Sequence, residues 1–470
     1  MPREYLSNID TALLKLDHPT NLMMITGVLI LKEPIDLEKL KTVIRSRLLK
    51  IKRFRQRVVW PRLGLSNPYW EEDPSFQLNN HVQVARLPQS DNPGSLKELI
   101  DFLVSEALDV DKPLWQFHLV ENYKNGSALI GRLHHAIADG MALMDVMLSI
   151  TDSVEDETLE QIQSGILKKN NGHSNSAAFK ILRNSLLSSR KAVRKGIRQG
   201  REVLADPDRL KEISEYGKEA ASIISAILLR EPDSRTVLNG KLGIQKRTAW
   251  SRGIMLGDIR KIQDRLGGTV NDVLMSAIAG AIRSYMQEHT ECVEELTIHA
   301  TVPVNLRQPQ NFDKLGNQMG AVFLSLPIEI EDPVKRLNVI KERMDQNKQS
   351  IEAPVIFYLL NALGLTTKRM ANSFIKIYST RATAVITNVR GPQQPLSLTG
   401  SPIEAIYSWV PTTGRLGIGV SILSYANEVR LGVISDEGLV PDPEEIIENF
   451  YTQFNQLADT ATKIKPNIID

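Results

Sequence analysis

A chain of 470 residues exceeds what one ordinary core supports, so its length predicts two or three domains. Its apolar (42%), charged (24%) and aromatic (6%) fractions are those of a globular protein and exclude a disordered one. With a net charge of +2 there is no global pull toward nucleic acid, and any anion site has to be local.

Cys292 is the single cysteine, which excludes an internal disulfide and any Cys-x-x-Cys zinc or redox pair. Met1-Pro2-Arg3-Glu4 lacks the basic-then-apolar order of a signal peptide. No apolar run reaches the roughly 18 residues that a spanning helix needs. These readings predict a cytoplasmic protein that can rest on a membrane or lipid-droplet surface without crossing it.

In chain order, residues 21–31 read as a buried strand, and Asp36 caps a helix carrying Leu37, Leu40, Val43, Ile44 and Leu48 at helical spacing. Strands are expected at 57–60 and 82–87, a helix at 95–108, and paired strands at 114–121 and 127–133 around a turn at 123–126. A further helix begins at Gly140. From about 154 to 240 the texture changes to acidic, then Gly/Asn/Ser-rich, then two long helical patterns. The first carries a basic stripe over 180–201, including Lys180, Arg183, Arg190 and Arg201, and a cationic amphipathic helix of this kind is usually solvated but can also lie on anionic lipid. A second α/β run follows. Its helices fall at 257–266, 270–288 (opening at Asn271-Asp272), 333–349, 355–375 and 443–463. Its strands fall at 296–304, 382–387, 402–410, 417–425 and 428–435. The mixed order implies a layered α/β protein. Its divisions are a first domain over 1–153, a helical linker over 154–240 and a second domain over 241–470.

The informative segment is His134-His135-Ala136-Ile137-Ala138-Asp139-Gly140, where a hydrophobic strand runs into a helix. Such a junction is a rigid place from which to present a side chain into a cleft. Asp139 fits a helix N-cap, and Gly140 lets the chain turn. Adjacent strand residues point to opposite faces, so the two histidines are not expected to share a metal, and no metal is expected elsewhere. The bland alternative is a satisfied pair of buried histidines.

The His-His-x-x-x-Asp-Gly pattern resembles the coenzyme A-dependent acyltransferase superfamily. Further segments narrow the likeness: Ser7-Asn8-Ile9-Asp10, Pro113-Leu114-Trp115, Val270-Asn271-Asp272, Val302 to Arg307, Leu315-Gly316-Asn317 and Asn388-Val389-Arg390-Gly391-Pro392. In that combination the chain is similar, over nearly its full length, to the wax ester synthase/diacylglycerol acyltransferase family. The resemblance implies two chloramphenicol acetyltransferase-like α/β sandwich domains with the active site in a tunnel between them. It implies acyl-CoA as co-substrate with no bound cofactor, and a fatty alcohol or diacylglycerol as acceptor. His135 would be the general base, His134 a support, and Asp139 a structural carboxylate that orients the loop.

Elementary chemistry agrees, because a neutral imidazole with an ordinary pKa near 6.5 takes a proton at cellular pH. No Gly-x-Ser-x-Gly elbow is present, and Cys292 lies among Glu291, Glu294 and Glu295, so direct attack without an acyl-enzyme is expected. The oxyanion donor is left between Asn271 and a hydroxyl or amide of the second domain. Asn271 would otherwise be simply a helix cap. Pro113, Leu114 and Trp115 are either a strand entry with a buried indole or part of the tunnel wall. Gly140, Asn388 and Arg390 are candidates for substrate or coenzyme A contact, and Arg390 could instead pair with Asp139. The rival readings are a condensation-type domain using carrier-protein thioesters and a non-catalytic lipid-binding protein of the same fold.

Overall fold

The computed structural model describes residues 3–61, 67–87, 94–153, 230–289, 292–307 and 315–463. Residues 154–229 of the expected linker, including the basic helix over 180–201, lie outside the described residues.

After the short strand β1 (Glu4–Tyr5), helix α1 (Asn8–Leu16) starts at Ser7, whose hydroxyl accepts the Asp10 amide. Strand β2 (Met24–Leu31) follows, then helix α2 (Leu37–Ser46), capped by Asp36 through the Lys39 amide as its sequence predicts. Strands β3 (Gln56–Val59) and β4 (Tyr69–Glu72) form a small sheet with β1. The first half is completed by β5 (Val82–Val84), α3 (Gly94–Ser105), β6 (Trp115–Tyr123), β7 (Gly126–His134), α4 (Gly140–Ser149) and β8 (Asp152–Ser153). Every residue of β7 is buried, so both of its faces are covered, and apolar residues take both sides over Ala128–Ile130.

The second half begins with β9 (Lys246–Trp250), β10 (Ile254–Met255) and α5 (Leu256–Leu266). Helix α6 (Val270–Glu288) is capped by Thr269, not by Asn271. Thr269 and Asp272 satisfy each other's amides in a capping box, which moves Asn271 into the first turn. Strands β11 (Ile298–Asn305) and β12 (Met319–Leu326) and helix α7 (Pro333–Gln349) come next. The expected single helix over 355–375 is two helices, α8 (Glu352–Gly364) and α9 (Lys368–Tyr378). The break falls where the Thr367 hydroxyl accepts the Met370 amide and starts a new helix. Strands β13 (Ala384–Arg390), β14 (Leu396–Leu398), β15 (Ser401–Trp409), β16 (Ile418–Tyr425) and β17 (Glu428–Asp436) and helix α10 (Pro443–Lys463) close the chain. The expected hairpin over Ala426-Asn427 is present, with these residues at φ +47° and +64° in the β16–β17 turn.

The two large sheets run β5-β6-β7-β2-β15-β14-β8 and β10-β17-β16-β13-β11-β12, with β9 added on β17. Strands β14 and β15 therefore belong to the first sheet although they lie in the second half of the chain, and β15 pairs antiparallel with β2 from Ile403–Leu31 to Trp409–Thr26. A boundary at 241 thus separates the chain by sequence but not by sheet. The architecture is the expected pair of α/β sandwiches. Its second core packs α6 and α10 against the sheet through fully buried Ile278, Ile282, Phe450 and Leu457. The halves also meet where the segment after β7 forms a parallel bridge, Ala138 to Gly316.

Candidate active site

His135 sits just beyond the end of β7, with its amide donating to Met23 O at 2.7 Å. Its Nδ1 lies 2.9 Å from Asn317 Oδ1, in the loop before β12. The orientation of the Asn317 amide is fixed by its other contacts. Its Nδ2 donates to Asp10 Oδ1 and to His135 O, both at 2.7 Å, so the oxygen faces the ring. His135 Nδ1 must then carry the proton, and Nε2 keeps its lone pair. Asp10 is itself anchored at the start of α1 and also accepts the Asn317 amide at 3.2 Å. Burial pushes the Asp10 carboxyl above its ordinary value, although Ser7, Asn317 and Arg53 oppose the shift. Burial likewise pushes the His135 imidazole down, outweighing Asp139 and Asn317, so the ring is neutral near pH 7.

Asp139 caps α4 through the Ala142 amide at 3.1 Å. Its other oxygen accepts from Arg307 Nη2 at 2.6 Å and from the Gln318 amide at 3.1 Å, while Arg307 also donates to Gly316 O at 2.7 Å. Both side chains of this ion pair are almost fully buried. The alternative of an Arg390–Asp139 pair is therefore corrected: Arg307 fills that place, and Arg390 ends β13 exposed to solvent. Through these bonds the carboxylate ties the loop to the second half.

A cavity of about 1730 Å³, open solvent at its mouth included, lies between the halves. His135 and Gly140 line it together with apolar side chains from both, such as Leu143, Met147, Met319, Leu360 and Phe374. Gly140 is not in the left-handed region. A Cβ there would meet only Val389, at an ordinary 4.0 Å, so neither strain nor crowding demands glycine at this position. Hydroxyl-bearing residues of the second half, Thr301, Tyr378, Thr387 and Thr413, also line the cavity. A neutral base opening on such a greasy channel suits proton removal from a hydroxyl attached to a long apolar chain.

The remaining candidates are distributed differently. Trp115 is fully buried in the first core, donates Nε1–H to Phe54 O at 2.9 Å and stacks on His81, so it is a strand-entry residue and not a wall of this cavity. Pro113 is buried beside it. Leu114 lines a second cavity, as does His134. Asn271 does not line the central cavity, which removes the support for an oxyanion role. Its Oδ1 instead accepts from Asn388 Nδ2 at 2.8 Å. Thr387 and Val389 line the cavity while Asn388 and Arg390, alternating along β13, face outward. Cys292 is exposed and its thiol is raised by the hydrogen bond to Glu294, which disfavours a thiolate. Sequence reasoning assigned no role to Asp10, Arg307, Asn317 or Gln318. The first three stand in quoted segments, but nothing in one sequence says that Asp10 meets Asn317.

Residues 6–274 match the model of the wax ester synthase/diacylglycerol acyltransferase catalytic domain, and residues 315–458 that of the WS/DGAT C-terminal domain. The probable diacyglycerol O-acyltransferase tgs1 of Mycobacterium tuberculosis is 26% identical over 451 residues, covering 94% of this chain and 93% of its own. The O-acyltransferase WSD of Acinetobacter baylyi is 25% identical over 396 residues, 82% of this chain and 81% of its own. Among solved structures, the wax ester synthase/diacylglycerol acyltransferase from Marinobacter aquaeolei VT8 superposes with a TM-score of 0.68 at 21% identity, covering 98% of this chain and 100% of that one. The first condensation domain of the calcium-dependent antibiotic synthetase shares the fold at a TM-score of 0.59 and 12% identity, covering 98% of this chain and 97% of its own.

Proposed function

The chain belongs to the wax ester synthase/diacylglycerol acyltransferase family, and from that premise we propose that it esterifies a long-chain alcohol, diacylglycerol or both with an acyl group from acyl-CoA. His135 Nε2 removes the hydroxyl proton as the oxygen attacks the thioester carbonyl. The tetrahedral intermediate collapses to the ester and a coenzyme A thiolate, which takes the proton back from the imidazolium. No covalent acyl-protein is formed. A hydroxyl from the second half is the candidate to meet the oxyanion, and the Thr387 position on the cavity wall supports it. The polar part of coenzyme A is assigned to the outward side of β13, at Asn388, Arg390 and the adjoining Asn271.

One observation carries this reading: the Asp10–Asn317 relay leaves an unprotonated nitrogen on a neutral ring facing an apolar channel. Thin-layer chromatography of radiolabelled acyl-CoA with hexadecanol or diacylglycerol tests it, with His135→Ala losing ester formation. Full activity in that variant would sink the proposal.

No helix among the described residues is long and apolar enough to cross a membrane. Surface contact with lipid is part of the proposal, since the acceptors are lipids. Flotation with anionic liposomes, comparing the wild type with four cations of 180–201 reversed, tests the basic segment: equal flotation rejects it.

A further inference from the structure

The residue before the proposed base faces the other way. His134 Nδ1 accepts the Ala136 amide at 3.0 Å, so the Nε2 of its ring carries a proton. That Nε2 has no hydrogen-bond partner among the described residues, yet His134 is 5% exposed. His134 lines a second cavity of about 1600 Å³, open solvent at its mouth included, with Nε2 itself buried in the wall. Asp17 Oδ1 is 3.7 Å away, too long for a hydrogen bond. The same Asp17 oxygen accepts the Met23 amide at 2.7 Å, which favours the carboxylate form.

The cavity therefore presents a buried N–H and a carboxylate oxygen with a gap between them. A hydroxyl oxygen placed about 2.8 Å from each fills the gap, accepting from His134 and donating to Asp17. An ester or ether oxygen can only accept, so it could answer His134 but would offer no proton to Asp17, which would keep only the Met23 amide at 2.7 Å. The walls beside this pair are apolar (Leu14, Leu22, Leu108 and Leu114), and the rim carries Trp60 and Val110, each more than half exposed. The charges of the cavity do not suit a polyphosphate. Lys15 is engaged by Gly364 O and Thr366 O at 2.6 Å, Arg57 pairs with Glu71 at 3.2 Å, and Asp17 and Asp111 offset the remainder.

We propose that this second cavity is a binding site for the hydroxyl end of a long-chain alcohol, with His134 Nε2–H and Asp17 as its paired donor and acceptor. The site selects free alcohols over their esters before they reach His135. The partition between the cavities is thin: Leu16 and Met23 face one, and Asp17 and Met24 face the other. The inference rests on the proposed alcohol-acylating function, and the test separates the two.

A photoactivatable hexadecanol is crosslinked to the full-length His135→Ala protein, in competition with hexadecanol or its methyl ether. The expected label falls on peptides around Leu108 and Leu114, which do not line the central cavity, displaced about tenfold better by the alcohol than by the ether. In an otherwise wild-type chain, Asp17→Asn keeps an oxygen for the Met23 amide and is expected to raise the KM for hexadecanol about tenfold while the KM for acyl-CoA stays unchanged. Leu108→Trp, which fills the space without touching the polar pair, is expected to do the same. Label confined to central-cavity peptides, equal competition by the ether, or an unchanged alcohol KM in both folded variants would overturn the site. Ester synthesis surviving in His135→Ala would instead overturn the catalytic reading and leave the labelling result standing.

Discussion

His134 and His135 are consecutive residues at one strand end, yet their rings live in opposite surroundings. One ring is held from behind by Asn317 and Asp10, so that its outward nitrogen is a bare lone pair on an apolar channel. The other is held by a main-chain amide, so that its outward nitrogen is an unanswered N–H beside a carboxylate. The same side chain becomes a proton acceptor in one place and a donor in the next because different neighbours occupy Nδ1. The lesson is that the motif's two histidines are distinguished by what stands behind them: a neighbouring amide for His134, and groups from distant parts of the chain for His135.

Breaking the contrast on the His135 side is expected to have the largest effect. His135→Ala should lower kcat for ester formation by about 10²–10⁴-fold, read by radiolabelled product. A loss of that size in His134→Ala, at saturating alcohol, would erase the distinction between the rings. Next is the clasp that holds the loop: Arg307→Ala strands a buried Asp139 carboxylate and should cost about 3–5 kcal/mol in urea unfolding. Asn317→Ala frees the His135 ring to choose its tautomer and should reduce kcat on the order of 10²-fold, with the acyl-CoA KM unchanged. The smallest effect is a matter of pH. Burial lowers the His135 pKa, so the neutral form persists below about pH 6.5, and the acid limb of the kcat profile should lie below that value. A limb above it would mean that the ring feels more negative charge than its surroundings contain.

Much of this was legible in the sequence because it is local. Periodicity placed α7 and α10 and the β16–β17 hairpin, and Asp36 and Asp139 announced their caps. The Asp139 partner was missed because Arg307 is 168 residues away, and spacing carries no information about which cation arrives. The cap of α6 was misread because Thr269 and Asn271 are both good capping residues, and the reciprocal bond of Asp272 decides between them. Helices α8 and α9 merged because an apolar run with helical spacing does not reveal a break made by one threonine.

The exchange of β14 and β15 into the first sheet bears on how this protein comes apart. Without residues 396–409, strand β2 becomes a long apolar edge with open amides and carbonyls. A fragment ending at 153 should therefore aggregate, or recruit a strand from elsewhere, instead of folding. Conversely, a single cut between 153 and 230 should leave both pieces clasped together through a native wash and separable only by denaturant.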